Sequence, residues 1–228
     1  MNITAIIQAR MAGRRLPGKV LLPIHNYTSI LQFIAMKFHN AGSKVVIATS
    51  AEPSDDPILA ACGHFPIYRG SHLDVLSRLN DAAIHYKAEH VCRITADCPL
   101  VPMDLVHKLF SIYREGNHDY VAAATCKPAL SCWPDGFDCE IFSRDVLEDV
   151  NRRAPDACYR EHPTNYIIEN PERYHCRLHE SAKQYIHGPK LSVDTFDDYL
   201  RVWHIAQRLS DPATATAAEI IAAAQELA

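Results

Sequence analysis

Apolar positions recur along this chain in two periods, and the elements they predict take turns. Ile3 to Ile7 is a short unbroken apolar run, and Lys44 to Thr49 is another, carrying Val45, Val46, Ile47 and Ala48. Runs of that length suit strands buried on both faces. Between them Ile30, Leu31, Ile34 and Phe38 recur at helical spacing behind a cap at Thr28 or Ser29, with Gly42 as the stop. Asp56 as cap and Pro57 as first helical residue open a short helix that Gly63 ends. Phe65 to Tyr68 and His90 to Ile94 read as further strands. The helix between them puts Leu73, Leu76, Leu79 and Ala83 on one face, behind a capping box from Ser71 to Asp74. A helix over Asp104 to Tyr113 and a strand over Tyr120 to Ala124 continue the alternation, which predicts an α/β fold with a mainly parallel sheet covered on both sides.

The rhythm then changes. Cys126 to Ser131 has no clear period, and Trp133 to Glu140 packs three acids and a turn ahead of Ile141 and Phe142. Ser143 caps a helix through Val150, and Thr164 to Glu169 is helical. Tyr174 to Leu178 and Lys190 to Val193 look like strands, the second followed at once by Asp194. Thr195 caps a helix bearing Tyr199, Leu200, Trp203 and Ala206, and Thr216 with Glu219 makes a capping box for an Ala-rich last helix. Neither an internal repeat nor a long linker interrupts residues 1–228, so a single domain is expected, with 133–190 as a small β-containing extension.

Composition narrows the class. With 228 residues, 48% of them hydrophobic, the chain can bury a full core, and a net charge of −4 with both signs interspersed argues against a general nucleic-acid binder. The first residues carry no signal-peptide pattern, and no stretch approaches the roughly 20 apolar residues of a membrane span, so a cytoplasmic protein without a membrane partner is expected. The eight cysteines include no CxxC pair and read as reduced, partly buried thiols, while the thirteen histidines are scattered; zinc is not expected.

Candidate chemistry begins in the first loop. Arg10, Arg14, Arg15 and Lys19 crowd around Gly13 and Gly18 directly after a strand, where backbone N–H groups and flexible cations can hold a polyphosphate. The spacing nearly matches a P-loop but puts Val20 where a magnesium-binding hydroxyl belongs, so any metal must be held from elsewhere. Asp97 and Asp194 each follow an expected strand, and in a parallel sheet such positions share one edge with the cationic loop. Hard oxygen ligands for a metal and cations for phosphates are what a magnesium nucleoside triphosphate needs.

Taken together, QARMAGRRLPGKVL from Gln8, RGSHLDVLSR from Arg69, RITADCPL from Arg93, WPDGFDCE from Trp133, REH from Arg160 and SVDTFDD from Ser192 resemble a known family. It is the group of acidic-sugar cytidylyltransferases that contains the acylneuraminate and 3-deoxy-manno-octulosonate enzymes, in its spore coat polysaccharide biosynthesis protein F-like branch. The resemblance covers nearly the whole chain in order. It implies a three-layer nucleotide-diphospho-sugar transferase-like, Rossmann-like fold, and transfer of CMP from CTP to a hydroxyl of an acidic sugar or related small acid, with pyrophosphate released, in surface polysaccharide or glycan biosynthesis.

Carried over residue by residue, the resemblance implies that Arg10, Arg15 and Lys19 hold the triphosphate and that Asp97 and Asp194 hold Mg²⁺, with Lys19, Arg10 and Asp97 catalytic. Arg69 would read the nucleotide, with Ala9, Thr49 and Ser71 nearby. Asp135, Asp138, Glu140, Arg160, Glu161 and His162 would line the acceptor pocket, and a homodimer is implied. The chain departs from the branch pattern at Ala12, Gly13 and Arg14, where a hydroxyl is lost and a cation gained, and at Ala96 and Lys190. Two alternatives stay open: a nucleotidyltransferase using another triphosphate with a sugar phosphate, and a non-catalytic nucleotide-binding homologue.

Overall fold

The computed structural model describes residues 3–27, 29–123, 133–180 and 188–227. The seven strands among them are β1 (Thr4–Gln8), β2 (Lys44–Ser50), β3 (Ile67–Gly70), β4 (His90–Thr95), β5 (Tyr120–Ala122), β6 (Cys139–Ser143) and β7 (Cys176–Leu178). They form one sheet in the order β3-β2-β1-β4-β6-β5-β7. β1 pairs in parallel with β2 and β4, β2 with β3, and β5 with β7, while β6 runs antiparallel to both its neighbours. The expected mainly parallel sheet is present, and one reversed strand at its centre shapes the site.

Helices cover both faces. On one, α1 (Ile30–Asn40), α2 (Asp56–Cys62), α4 (Met103–Glu115), α8 (Phe196–Arg208) and α9 (Ala217–Gln225) pack Phe33, Ile58, Leu105, Val202 and Ile220 against Ile7, Ile47 and Ile94. On the other, α3 (Val75–His85), α5 (Arg144–Arg153) and α7 (Pro163–Glu169) pack Leu76, Leu147 and Ile167 against Ile6, Val46 and Val91, with α6 (Ala157–Glu161) alongside. Alternate residues of each strand go to opposite cores, as the two-residue strand repeat requires. The result is the three-layer architecture that the pattern predicts.

Local signals account for most boundaries. Ser29 accepts the Gln32 N–H at 3.0 Å to cap α1, and both Thr195 and Thr216 form capping boxes. Several boundaries differ. The third strand begins at Ile67 rather than Phe65, and β7 at Cys176 rather than Tyr174. Asp56 is the first residue of α2 rather than its cap, because a short 3-10 turn over Pro53–Asp55 runs straight into it. The capping box expected from Ser71 to Asp74 is shifted: Asp74 itself caps α3 through the Ser77 N–H at 2.8 Å, and the Ser71 hydroxyl accepts the Asp74 N–H at 3.0 Å. Thr28 and the period-free stretch Cys126 to Ser131 lie outside the described residues.

Two placements bear on the site. β6 lies between β4 and β5, so Cys139–Ser143 of the 133–190 range belong to the main sheet. The strand expected over Lys190 to Val193 is absent, because its N–H groups are taken by loops: Leu191 donates to the Asp135 carbonyl at 2.7 Å and Val193 to that of Asp97 at 2.8 Å. Leu191 and Val193 are still fully buried, which is why the apolar pattern there imitates a strand.

Candidate active site

The first loop leaves β1 and folds on itself around one carbonyl. Met11 O accepts from both Gly13 N at 2.9 Å and Gly18 N at 2.8 Å, and Gly18 takes a left-handed φ of 73° that a side chain would resist. The Met11 N–H is tied down in turn by the buried carboxylate of Asp55 at 2.6 Å. This compact turn starts a 3-10 helix, Lys19–Leu21, and turns Lys19 inward.

Two segments far apart in sequence meet Lys19. Its Nζ donates to Asp97 Oδ2 at 2.9 Å, Asp194 Oδ1 at 3.1 Å and the Val193 carbonyl at 2.6 Å. Asp97 is there because it follows β4 directly. Asp194 is there because its irregular segment is stitched to two loops rather than to a strand. Besides the two backbone bonds given above, the Ser192 hydroxyl donates to Asp135 Oδ2 at 3.0 Å. Gly136, at φ 105°, sits so tightly against the segment that a Cβ on it would fall 2.4 Å from the Leu191 carbonyl carbon. β6 starts at the sheet edge where β4 ends, with Ile94 opposite Cys139, and so the acidic turn before β6 closes over Asp97.

These pieces line a cavity of about 1330 Å³ at the carboxyl ends of β1 and β4. Of the expected residues, Arg10, Arg15, Lys19, Asp97, Asp135, Asp138, Glu140, Glu161, His162 and Asp194 line it, together with Arg14. Arg15 reaches Asp194 Oδ2 at 2.9 Å, and Arg10 reaches Glu161 at 3.7 Å.

Five expected residues do not line the cavity. Arg69 folds the 50–56 turn instead, donating to the carbonyls of Ser50 and Glu52 at 3.0 Å each and pairing with Asp56 at 2.8 Å. Thr49 and Ala9 are buried in the sheet, and the Ser71 hydroxyl serves the turn before α3. Arg160 points away, its guanidinium bound to Asp74 at 2.7 Å and to the Asn151 carbonyl and side-chain oxygen at 2.9 Å each. These partners on α5 and at the start of α3 draw Arg160 off the cavity wall that Glu161 and His162 line.

Electrostatics separate the lining groups. Burial pulls the Lys19 ammonium down, but Asp97 and Asp194 outweigh it and its pKa is raised. Burial pushes Asp194 up, yet Lys190 and Lys19 carry the net downward, so it stays ionised. Asp138 behaves oppositely: burial, with Asp135 and Glu140 adding to it, lifts it to about 6 against the opposing Gly136 N–H bond. Burial also raises the Cys98 thiol well above the usual range, with Asp138 and Asp97 adding to it, so this cysteine is a neutral wall between the two acids.

Glu140 is unlike the other lining acids. It is 2% exposed, pairs with Arg93 directly across the β4–β6 ladder, and accepts from Tyr120 OH and Thr164 Oγ1 at 2.7 Å each. Arg93 also reaches Gln8 Oε1 at 3.2 Å. Arg93, Gln8, Thr95 and Ser192 all line the cavity, and none was among the expected site residues. The one signal for Arg93 was a charge inside an otherwise apolar strand, at a register position facing Glu140 that only the sheet pairing reveals.

A family model described as Cytidylyltransferase matches residues 4–221. The chain belongs to the cytidylyltransferase family. This cytidylyltransferase is 29% identical over 231 residues to the spore coat polysaccharide biosynthesis protein SpsF of Bacillus subtilis, covering 96% of this chain and 92% of that one. It is 30% identical over 112 residues to the 3-deoxy-manno-octulosonate cytidylyltransferase of Serratia proteamaculans, 48% of this chain and 45% of that one. Its fold superposes on a cytidylyltransferase structure from Leptospira borgpetersenii serovar Hardjo-bovis with a TM-score of 0.87 and 26% identity, covering 100% of this chain and 95% of that one. Among the described residues no helix is long and apolar enough to cross a membrane.

Proposed function

We propose that this cytidylyltransferase moves CMP from CTP to a hydroxyl of an acidic sugar or related small acid, releasing pyrophosphate, with magnesium held by Asp97 and Asp194. The observation that carries the reading is the meeting of Lys19, Asp97 and Asp194 from three separate segments at a cavity that Arg10, Arg14 and Arg15 also line. The donor set fits the metal. Two carboxylates that one ammonium bridges at 2.9 and 3.1 Å are near enough to share a divalent cation, and both offer hard oxygens. Among the described residues no three His, Cys, Asp or Glu side chains surround one metal position, which suits an ion that keeps water or phosphate oxygens as its other ligands.

In the reaction the acceptor hydroxyl attacks the α-phosphorus in line as the bond to pyrophosphate breaks. Arg10, Arg15 and Lys19 neutralise the charge that gathers on the leaving phosphates, and Arg14 adds a cation at the cavity mouth. Magnesium, when bound, supplies Lewis-acid charge neutralisation at the phosphate oxygens. Glu161 and His162 face the acceptor side, where His162 offers a donor to an anionic group. Glu140 holds Arg93 in the cavity wall rather than contacting the acceptor itself. The acidic acceptor is supported by the Serratia relative, whose named substrate is a sugar acid, and a role in surface polysaccharide synthesis by the Bacillus relative. Cytoplasmic location and a homodimer complete the reading; sedimentation as a monomer would remove the second.

The test is a pyrophosphate-release screen of the four ribonucleoside triphosphates against acidic sugars and phosphonates. CTP-specific release that depends on an acidic acceptor is expected. Release only from UTP or GTP with a neutral sugar phosphate would replace this reading.

A further inference from the structure

The turn that carries Asp97 has few means of holding its own shape. It runs Asp97, Cys98, Pro99, Leu100, Val101, Pro102 into α4, and its two prolines bring no N–H groups. Cys98, Leu100 and Val101 are buried, so their carbonyl neighbours have no water to turn to. A side chain from α1, in the same helical layer as α4, supplies the missing donors. Lys37, near the end of α1 and only 3% exposed, donates to the Pro99 carbonyl at 2.8 Å and the Val101 carbonyl at 2.6 Å.

Apart from a contact with the Phe33 ring, nothing else explains a lysine there. Its neighbours on α1 are core residues, Phe33, Ile34 and Phe38, all fully buried. The ammonium lies 5.2 Å from the Phe33 ring centroid and makes no ion pair among the described residues. A methionine would fill the same space without the cost of desolvating an amine. What a methionine cannot do is donate twice.

We propose that Lys37 is a positioning residue for Asp97: its two hydrogen bonds clamp the proline-bounded turn and thereby hold the carboxylate in place to meet Asp194. Ala96 N on the Gln8 carbonyl at 3.0 Å and Cys98 N on the Thr95 carbonyl at 3.1 Å flank Asp97, whose own carbonyl accepts the Val193 N–H at 2.8 Å. Lys37 adds the restraint that follows, at Pro99 and Val101, on the side of the turn that leads into α4. The role survives loss of the lysine proton, since a neutral amine keeps two N–H groups for two carbonyls. Burial, partly offset by Asp211 and Cys98, in fact brings this group down to about 7.

The functional consequence rests on Asp97 being a metal ligand, and the test separates the two claims. Lys37→Met is compared with wild type and with Phe38→Leu, which perturbs the same helix but removes no hydrogen-bond donor from the turn. Amide exchange followed by mass spectrometry should show residues 96–101 exchanging about tenfold faster in Lys37→Met, with β1 unchanged and with no such change in Phe38→Leu. Manganese binding, followed by electron paramagnetic resonance, should weaken about tenfold in Lys37→Met and stay at the wild-type level in Phe38→Leu. Unchanged exchange over 96–101 in Lys37→Met overturns the clamp. Faster exchange with unaltered manganese affinity overturns its role in presenting Asp97. If Asp97→Asn binds manganese as wild type does, the metal reading fails instead, and the clamp is judged on exchange alone.

Discussion

The Arg93–Glu140 cluster and the Lys19–Asp97–Asp194 cluster line the same cavity, yet they are built to opposite ends. Glu140 is 2% exposed, and its two oxygens take Arg93, Tyr120 and Thr164. Arg93 and Glu140 come from paired strands, so the ladder itself sets their geometry. Lys19, Asp97 and Asp194 come from loops and a short 3-10 turn, and the two carboxylates have side-chain exposures of 31% and 24%. A cation arriving from solvent can compete for these two and cannot reach the first. The saturated cluster acts as scaffold, then, while the exchangeable one is placed to bind. Charge type alone does not distinguish them.

The sharpest way to break this contrast is to neutralise one acid in each cluster. Asp97→Asn should lower kcat/KM for pyrophosphate release by about 10³-fold with little change in melting temperature, as loss of a transition-state electrostatic group does. A comparable loss of stability in place of activity would make Asp97 scaffold as well. Glu140→Ala should behave the other way. It removes the carboxylate that faces Arg93 across the ladder, and denaturant unfolding should show a loss of about 3–5 kcal/mol.

Lys37 extends the contrast to a buried cation held by carbonyls. Its folded pKa of about 7 lies below the ordinary value of 10.5, so between those limits the unfolded chain binds more protons than the native one. Stability must therefore rise with pH in that window, and the Lys37 contribution should approach about 1 kcal/mol per pH unit between pH 7.5 and 9.5. The difference in unfolding free energy between wild type and Lys37→Met, measured across that range, isolates it; a pH-independent difference would show that the amine stays charged on folding. The smallest effect concerns the exchangeable cluster. Because Lys19 already occupies the carboxylates that would hold a metal, Lys19→Met should bind manganese about tenfold more tightly in the absence of nucleotide, even as activity is lost. Equal or weaker binding would mean that Lys19 organises the carboxylates instead of competing for them.

Much of this molecule was legible in one dimension. The two hydrophobic periods, read with caps at Ser29, Ser143, Thr195 and Thr216, placed most helices and strands, because each depends on residues within a few positions of one another. The cationic loop and Asp97 were legible for a related reason, since they follow strands β1 and β4 directly and a parallel sheet delivers such positions to one edge. Asp194 was reached by way of a strand that does not exist. Leu191 and Val193 show the alternation of a strand because they are buried under the Asp135 turn, and burial of alternate residues looks the same whatever supplies the backbone partners.

By itself, then, the order of residues determined the element types, the family and the cationic loop that lines the cavity, all of which are local patterns or sets of them. Only the tertiary structure decided which charges are free to act. Arg69 and Arg160 sit in motifs that look like binding sites, but their guanidiniums are occupied with the 50–56 turn and the start of α3, while Arg93 and Lys37 sit in apolar runs and are turned toward the cavity wall and the Asp97 turn. A side chain's availability depends on which donors and acceptors the packed chain brings within reach of it, and those partners lie from 9 to 86 residues away.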